Sequence, residues 1–218
     1  MRQTINEITY VDVETQIVEN MKKNIKNLIK KILKVMLGFF PWLFVHLFGW
    51  IFYDKKYFRS KWFTVEGMIS PAWRWAARDM IYRVCTLNHL GTKFPVSPEM
   101  VGVGSNVNFD IDDLDMMNGR GSYFQTIDGS ITIGKGTKIS YNVGLITTNH
   151  NFNDLEHHQP GKDIIIGENC WIAMNVMVLP GVVLGPKTMV GAGSVVTKSF
   201  SEGNCLIAGN PAKKIKDL

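Results

Sequence analysis

Five histidines and three cysteines are the side chains of this 218-residue chain best suited to move a proton or attack a carbon. Three of the histidines, His150, His157 and His158, fall in one polar stretch, TNHNFNDLEHHQPGKD, residues 148–163. An imidazole titrates near neutrality and suits removal of a hydroxyl proton, and His150, at the root of that stretch, is the candidate general base. A solvent-facing loop histidine is the bland alternative. Asp154 or Glu156 could orient its ring, although a backbone carbonyl would serve equally. Adjacent histidines rarely hold one ion together, so His157 and His158 read as exposed loop residues or acceptor contacts, and no metal is expected. Cys170 could be a nucleophile, but nothing around it in sequence lowers a thiol pKa, and it reads as core filling. Beside it stands Trp171, an indole that either covers a ligand or simply packs. Lys198, Lys213, Lys214 and Lys216 group around Gly209, Asn210 and Pro211. They could hold acidic phosphates as flexible point charges or form a solvated tail.

The elements that must position these groups follow a period of six. Ile127, Ile133, Ile139 and Leu145 are six apart, and so are Ile166, Ile172, Val178, Leu184, Val190 and Val196. Val103 and Phe109 form an earlier, looser pair. A small residue often follows the aliphatic one, as in Gly134, Ser140, Gly167, Ala173, Gly185 and Gly191. Four positions after it come Thr137, Val143, Val176, Val182, Thr188 and Ser194. Six is no multiple of 3.6, and Gly, Pro and β-branched residues dominate, which excludes an amphipathic helix. One buried aliphatic per hexad fits a parallel β-solenoid, with three hexads to a triangular coil and coils one strand spacing apart. The register breaks once, over the 21 residues from Leu145 to Ile166. A loop extruded from a rigid solenoid there, residues 148–163, is where function usually sits.

The amino-terminal part has another character. Residues 1–20 are polar without a clear period and read as a loose or partner-dependent arm. From Met21, apolar Ile25, Leu28, Ile29, Ile32, Leu33 and Met36 recur at helical spacing with lysines between them. Residues 35–53 then lack any formally charged side chain. Residues 21–61 hold ten Lys/Arg and one Asp, a local +9 within a whole-chain net of +5, which leaves −4 for the remainder. Basicity confined to one segment excludes a nucleic-acid binder spread over its surface. The apolar run is long enough to span a membrane, but Gly38, Pro41 and Gly49 interrupt it and both flanks are basic. A bent hairpin or an interfacial helix is expected; a span and a helix packed on a partner subunit are the alternatives. Residues 62–94 read as a helical linker region. There Trp73, Ala76, Ala77, Met80 and Ile81 form a stripe, and Trp73, Arg74, Trp75, Arg78 and Arg83 could face lipid head groups or a glycan, or pack on the next domain. An odd cysteine count without a C-x-x-C pair points to a reducing compartment.

The hexads, the segment IIIGENCWIAMNVMVLPGVVLGPKTMVGAGSVVTKSF and the following IAGNPAKKIK resemble the hexapeptide-repeat acyltransferases, in particular the sugar and polysaccharide O-acetyltransferase branch. The resemblance covers residues 95–216. It implies a left-handed parallel β-helix over residues 95–200, with residues 201–218 as a basic tail, and a homotrimer with sites in the grooves between solenoids. It further implies acetyl-CoA as donor, with no metal, and direct transfer to a sugar hydroxyl in surface or capsular polysaccharide assembly. No nucleic-acid partner is implied. His150 matches the family's T-x-H base. Trp171 matches the tryptophan that walls the acetyl and pantetheine channel, and Met174, Ala192, Thr197, Lys198, Lys213 and Lys216 fall on positions lining the cofactor groove. Ala173 replaces the usual Gly, Met174 stands where a hydroxyl residue is common, and Lys213 and Lys216 fall where Arg is frequent. The apolar and basic segment implies a cytoplasmic enzyme peripheral at the inner face of the membrane. Acetylation of a soluble small molecule and a silent β-helix scaffold are the alternatives.

Overall fold

The computed structural model describes residues 2–218, with side chains from Thr15 onward. Its body is a three-faced parallel solenoid. The first face stacks Gly102–Val103, Tyr123–Gln125, Gly144–Ile146, Met177–Val178 and Val195–Val196. The second stacks Val107–Asn108, Ile131–Ile133, Ile164–Ile166 and Val183–Leu184. On the third lie Lys138–Ile139, Trp171–Ile172, Met189–Val190 and Cys205–Gly209, closed by the antiparallel strand Ala212–Asp217. Trp171 pairs with Met189, Met177 with Val195 and Ile165 with Val183, each 18 positions apart, so three hexads do make one coil. Across the register break the step is 33, as in Lys138 with Trp171 and Ile131 with Ile164.

Side chains alternate along each short strand, so one residue of each pair points inward. Ile133, Leu145, Ile166, Ile172, Val178, Leu184, Val190 and Val196 are buried in this way. Full burial of each aliphatic contributes roughly 1.5–3 kcal/mol. Ile127 departs from its column and is 39% exposed. The small residue after the aliphatic has a steric cause. A Cβ on Gly167 would lie 2.6 Å from the Pro186 backbone nitrogen and 2.7 Å from the Gly185 carbonyl carbon of the next coil. At the turns, Asn169 and Lys187 take left-handed backbone, which Asn tolerates best among residues with a Cβ.

A helical cap covers the amino-terminal end of the solenoid. The segment read as a loose arm, then a basic amphipathic helix, then a bent hairpin or an interfacial helix is one continuous helix, α1, Arg2–Phe48, which runs through Pro41; the loose arm and the hairpin are not seen. Gly38 lets it approach residues 68 and 69, where a Cβ would meet the Ile69 Cα at 2.8 Å. Val45, Tyr53 and Tyr57 are buried behind it. Helix α2, Pro71–Thr86, begins with Pro at its first position, and the Ser70 hydroxyl accepts from the Ala72 N–H at 3.2 Å. Trp73, Ala76, Ala77 and Met80 form its buried stripe, but Ile81 is exposed. Trp73 and Arg83, expected as possible head-group contacts, are buried instead. The Asp79 carboxylate accepts from Arg83 Nε at 2.9 Å, the Tyr53 hydroxyl at 2.8 Å and the Val96 N–H at 3.0 Å. That network ties the segment after α1, α2 and the entry to the solenoid together. Tyr53, buried against this carboxylate, has its phenol pKa driven far up by desolvation and by the Asp79 charge.

Candidate functional site

The break in the six-residue period builds a β-hairpin on the corner between the first and second faces. Residues His150–Asn151 pair antiparallel with Asp154–His158, placing His150 opposite His158. Its root is clamped: the Thr148 hydroxyl donates to the Gln159 carbonyl at 2.6 Å, the Gln159 N–H to Asn149 at 2.8 Å and the Lys162 N–H to Thr147 at 2.8 Å. Asp163 adds a second tie, accepting from the Ser130 N–H at 2.7 Å and its hydroxyl at 2.8 Å, and these bonds hold its carboxyl pKa below the ordinary value.

His150 is exposed, and its Nδ1 lies 2.8 Å from the Leu155 carbonyl oxygen. A carbonyl only accepts, so Nδ1 carries the proton and the lone pair of neutral imidazole sits on Nε2. The orienting group is therefore the backbone. Asp154 is engaged by His157, whose Nδ1 lies 2.6 Å from its Oδ2, and Glu156 makes no side-chain bond to His150. The rings of His150 and His158 pack against each other, tilted by 31° with centroids 4.5 Å apart, which further limits rotation of the base.

Trp171 belongs to the third face, opposite the corner that carries the hairpin. It points outward and is 53% exposed. By register its outward neighbours run Lys138, Trp171, Met189, Leu206 and Lys216. At about 4.8 Å per strand, Trp171 and Lys216 are roughly 14 Å apart. Lys213 faces Ala208 and Lys216 faces Leu206, and the bulge between Leu206 and Ile207 brings both lysines to the outer side although they are three positions apart. The segment read as a basic tail thus forms a folded edge strand. Lys214 is paired with Asp217 at 2.5 Å, a bond that holds its pKa up. Among the described residues Lys198, Lys213 and Lys216 have no ion-pair partner.

Met174 and Ala192 occupy successive turns beside the third face, joined by the Gly193 N–H donating to the Met174 carbonyl at 2.9 Å. Thr197 and Lys198 do not join Lys213 and Lys216. They follow the strand Val195–Val196 onto the corner below the hairpin root, where the Ser199 hydroxyl accepts from the Val183 N–H at 2.9 Å. The chain therefore places the sequence-predicted residues in two groups: His150, Thr197 and Lys198 at one corner, and Trp171, Met174, Ala192, Lys213 and Lys216 across the prism. Cys170 is buried, its thiol donates to the Gly185 carbonyl at 3.2 Å, and burial pushes its pKa up, which makes it inert as a nucleophile. The bulge that aligns the two lysines and the buried Asp79–Arg83 pair escaped sequence reading, although the i,i+4 spacing of that pair was a usable signal.

A parallel solenoid of hexads carries the exposed histidine hairpin and the cationic edge, and known proteins are similar to part of it. Residues 163–198 match the bacterial transferase hexapeptide family (six repeats). A protein of Escherichia coli (strain K12) named for colanic acid biosynthesis as an acetyltransferase is 42% identical over 89 residues, 41% of this chain and 48% of that protein. The galactoside O-acetyltransferase of the same organism is 37% identical over 98 residues, 42% of this chain and 46% of that protein. A hexapeptide-repeat acetyltransferase of Vibrio cholerae O1 biovar eltor, solved in complex with acetyl coenzyme A, is 24% identical with a TM-score of 0.41, over 53% of this chain and 62% of that one. The chain spans about half the length of the curated relatives it matches.

Proposed function

We propose that the chain is an acetyl-CoA-dependent O-acetyltransferase acting on a hydroxyl of a sugar in surface polysaccharide assembly. The observation that carries this reading is the Nδ1 contact of His150 with the Leu155 carbonyl, which leaves a basic nitrogen on an exposed ring held by a clamped hairpin. Relatives named for colanic acid and for galactosides support a sugar as acceptor. The His150 Nε2 takes the proton of the attacking hydroxyl and holds it for return to the departing sulfur. Acetyl-CoA, when bound, supplies the acyl group as a thioester. Trp171 walls the acyl end, Met174 and Ala192 line the channel with main-chain groups, and Thr197, Lys198, Lys213 and Lys216 hold the acidic end. The three lysines without ion-pair partners suit phosphate oxygens.

The two groups lie on opposite sides of one prism, which supports a homotrimer in which His150 of one copy meets Trp171 of the next. The coil is read as left-handed. The donor is cytosolic and the free cysteines fit a reducing compartment, so the enzyme works in the cytoplasm, held at the inner face of the membrane by α1. His150→Ala should lower acetyl transfer by about 10²-fold or more while coenzyme A binding, measured by calorimetry, stays near that of the wild type. Transfer within about threefold of wild type would remove His150 from the base role.

A further inference from the structure

A pocket of about 420 Å³ opens where the helical cap meets the solenoid. Its walls include Lys61, Trp62, Glu66, Trp75, Asp115 and Asn118. The two sides are pinned to each other: the Trp62 indole N–H donates to the Asp112 carbonyl at 3.0 Å, and the Lys61 N–H donates to the Asp112 carboxylate at 2.9 Å. The Trp75 indole N–H, also in the wall, has no acceptor among the described residues. Two indoles with Val65, Pro71 and Ala72 make the lining largely apolar, and two carboxylates, an amide and an ammonium stand among them. Indole faces suit the C–H face of a pyranose, while carboxylates and amides pair with ring hydroxyls.

Position gives the pocket its meaning. Asp115 lies 3.2 Å from Lys138 Nζ, and Lys138 is the outward neighbour of Trp171 on the third face. Burial works against the Lys138 charge, but Asp115 and Asp113 more than offset it and hold the ammonium in place. The pocket therefore opens about two strand spacings, roughly 10 Å, from Trp171 along the face that carries the lysines of the donor end. A single sugar cannot fill both places, but adjacent units of one glycan can.

We infer that this pocket is a subsite for a sugar residue flanking the one acetylated, so that the acceptor is an oligomer. The inference rests on the sugar-acetyltransferase reading above and adds the length of the acceptor to it. The test uses the full chain on an array of neutral and N-acetylated saccharides, from monosaccharides to hexasaccharides, with coenzyme A titrated separately. Wild type should retain oligosaccharides over monosaccharides. Trp62→Ala should weaken that retention about tenfold or more, Trp62→Phe should keep most of it, and Glu66→Gln should weaken it with the fold undisturbed. Coenzyme A affinity should be equal in all four proteins. Retention of no saccharide, equal retention at every length, or unchanged retention in both Trp62→Ala and Glu66→Gln would each overturn the subsite. A wild type that retains oligosaccharides but binds no coenzyme A would instead overturn the acetyltransferase reading and leave the glycan site standing.

Discussion

Two inactive variants should restore one another when mixed. The hairpin bearing His150 leaves the corner between the first and second faces, whereas Trp171 lies on the third, opposite it. If each site takes its base from one copy and its indole from the next, a His150→Ala protomer still offers an intact Trp171 face. A Trp171→Ala protomer likewise offers an intact hairpin. In trimers assembled at random from equal amounts, a site is whole only when a Trp171→Ala copy supplies the hairpin and a His150→Ala copy supplies the face. Each requirement is met about half the time, so about one quarter of the sites should be whole. The assay is co-expression with two different affinity tags, sequential purification of mixed trimers, and acetyl transfer to an oligosaccharide acceptor per protomer. The doubly tagged fraction excludes pure trimers and should exceed that quarter, while the His150→Ala parent remains at least about 10²-fold down and the Trp171→Ala parent stays below the mixture. Mixed assemblies no more active than the parents would mean that His150 and Trp171 do not meet across copies, and the shared-site argument would fall.

Other outcomes follow from packing and charge. Gly167→Val places a side chain against the backbone of the next coil and should destabilise the solenoid by about 1–3 kcal/mol or more, read as a lowered Tm; an unchanged Tm would mean that the coils are not so closely stacked. Asp79→Ala leaves the Arg83 guanidinium buried beside two further lost partners, the Tyr53 hydroxyl and the Val96 N–H, and should cost about 3–5 kcal/mol in urea unfolding. A loss below about 1 kcal/mol would show that the network does not hold the cap. Iodoacetamide should modify exposed Cys85 in the folded protein and spare buried Cys170 and Cys205. Because burial raises the Cys170 pKa above its ordinary 9.0, the unfolded chain loses that proton first; its effect on stability is nil below pH 9 and turns destabilising as the pH climbs beyond it.

How much of this was legible depended on whether the signal was local. The hexads are read along the chain, and each buried aliphatic reports the same environment, so the coil, the loop and the column from Ile166 to Val196 could be placed by counting. His150 was legible for the same reason: it stands where the count fails. What counting cannot reach is which face a residue occupies once the coil closes. Lys198 and Lys213 are near in sequence and share a chemistry, yet the closed coil separates them, because Lys198 follows a first-face strand onto the corner below the hairpin root and Lys213 belongs to the third face. The bulge that turns both Lys213 and Lys216 outward depends on pairing with Leu206 and Ala208, and no spacing rule shows it. In the cap, the apolar run of residues 35–53 was a mixture. Gly38, Val45 and Tyr53 face the body, while Leu37, Phe40 and Leu47 face outward, and hydropathy alone cannot divide them.

That division decides how the membrane reading should be tested. Residues Thr15–Ile51 form a helix long and apolar enough, by length and composition, to cross a bilayer. Its second half and the segment after it cannot be removed cleanly, since Val45, Tyr53 and Tyr57 are buried against the body and Tyr53 donates to Asp79. Deleting residues 1–61 would therefore open the core and confuse loss of binding with loss of fold. The first half is different. Met21, Ile25, Leu28, Ile29 and Ile32 are all exposed on one side, and Lys22, Lys23, Lys26, Lys30 and Lys31 lie on the other. Each lysine near an anionic surface contributes about 1 kcal/mol, so removing these five should weaken attachment by as much as about 5 kcal/mol before any apolar burial is counted. Deletion of residues 1–32 should accordingly leave a folded protein that stays at the bottom of a gradient with phosphatidylserine vesicles, while the full chain floats. Raised salt should release the full chain only in part, because the apolar side is insensitive to screening. Full release by salt would reduce α1 to an electrostatic contact, and failure of the full chain to float would make its apolar side a contact between subunits.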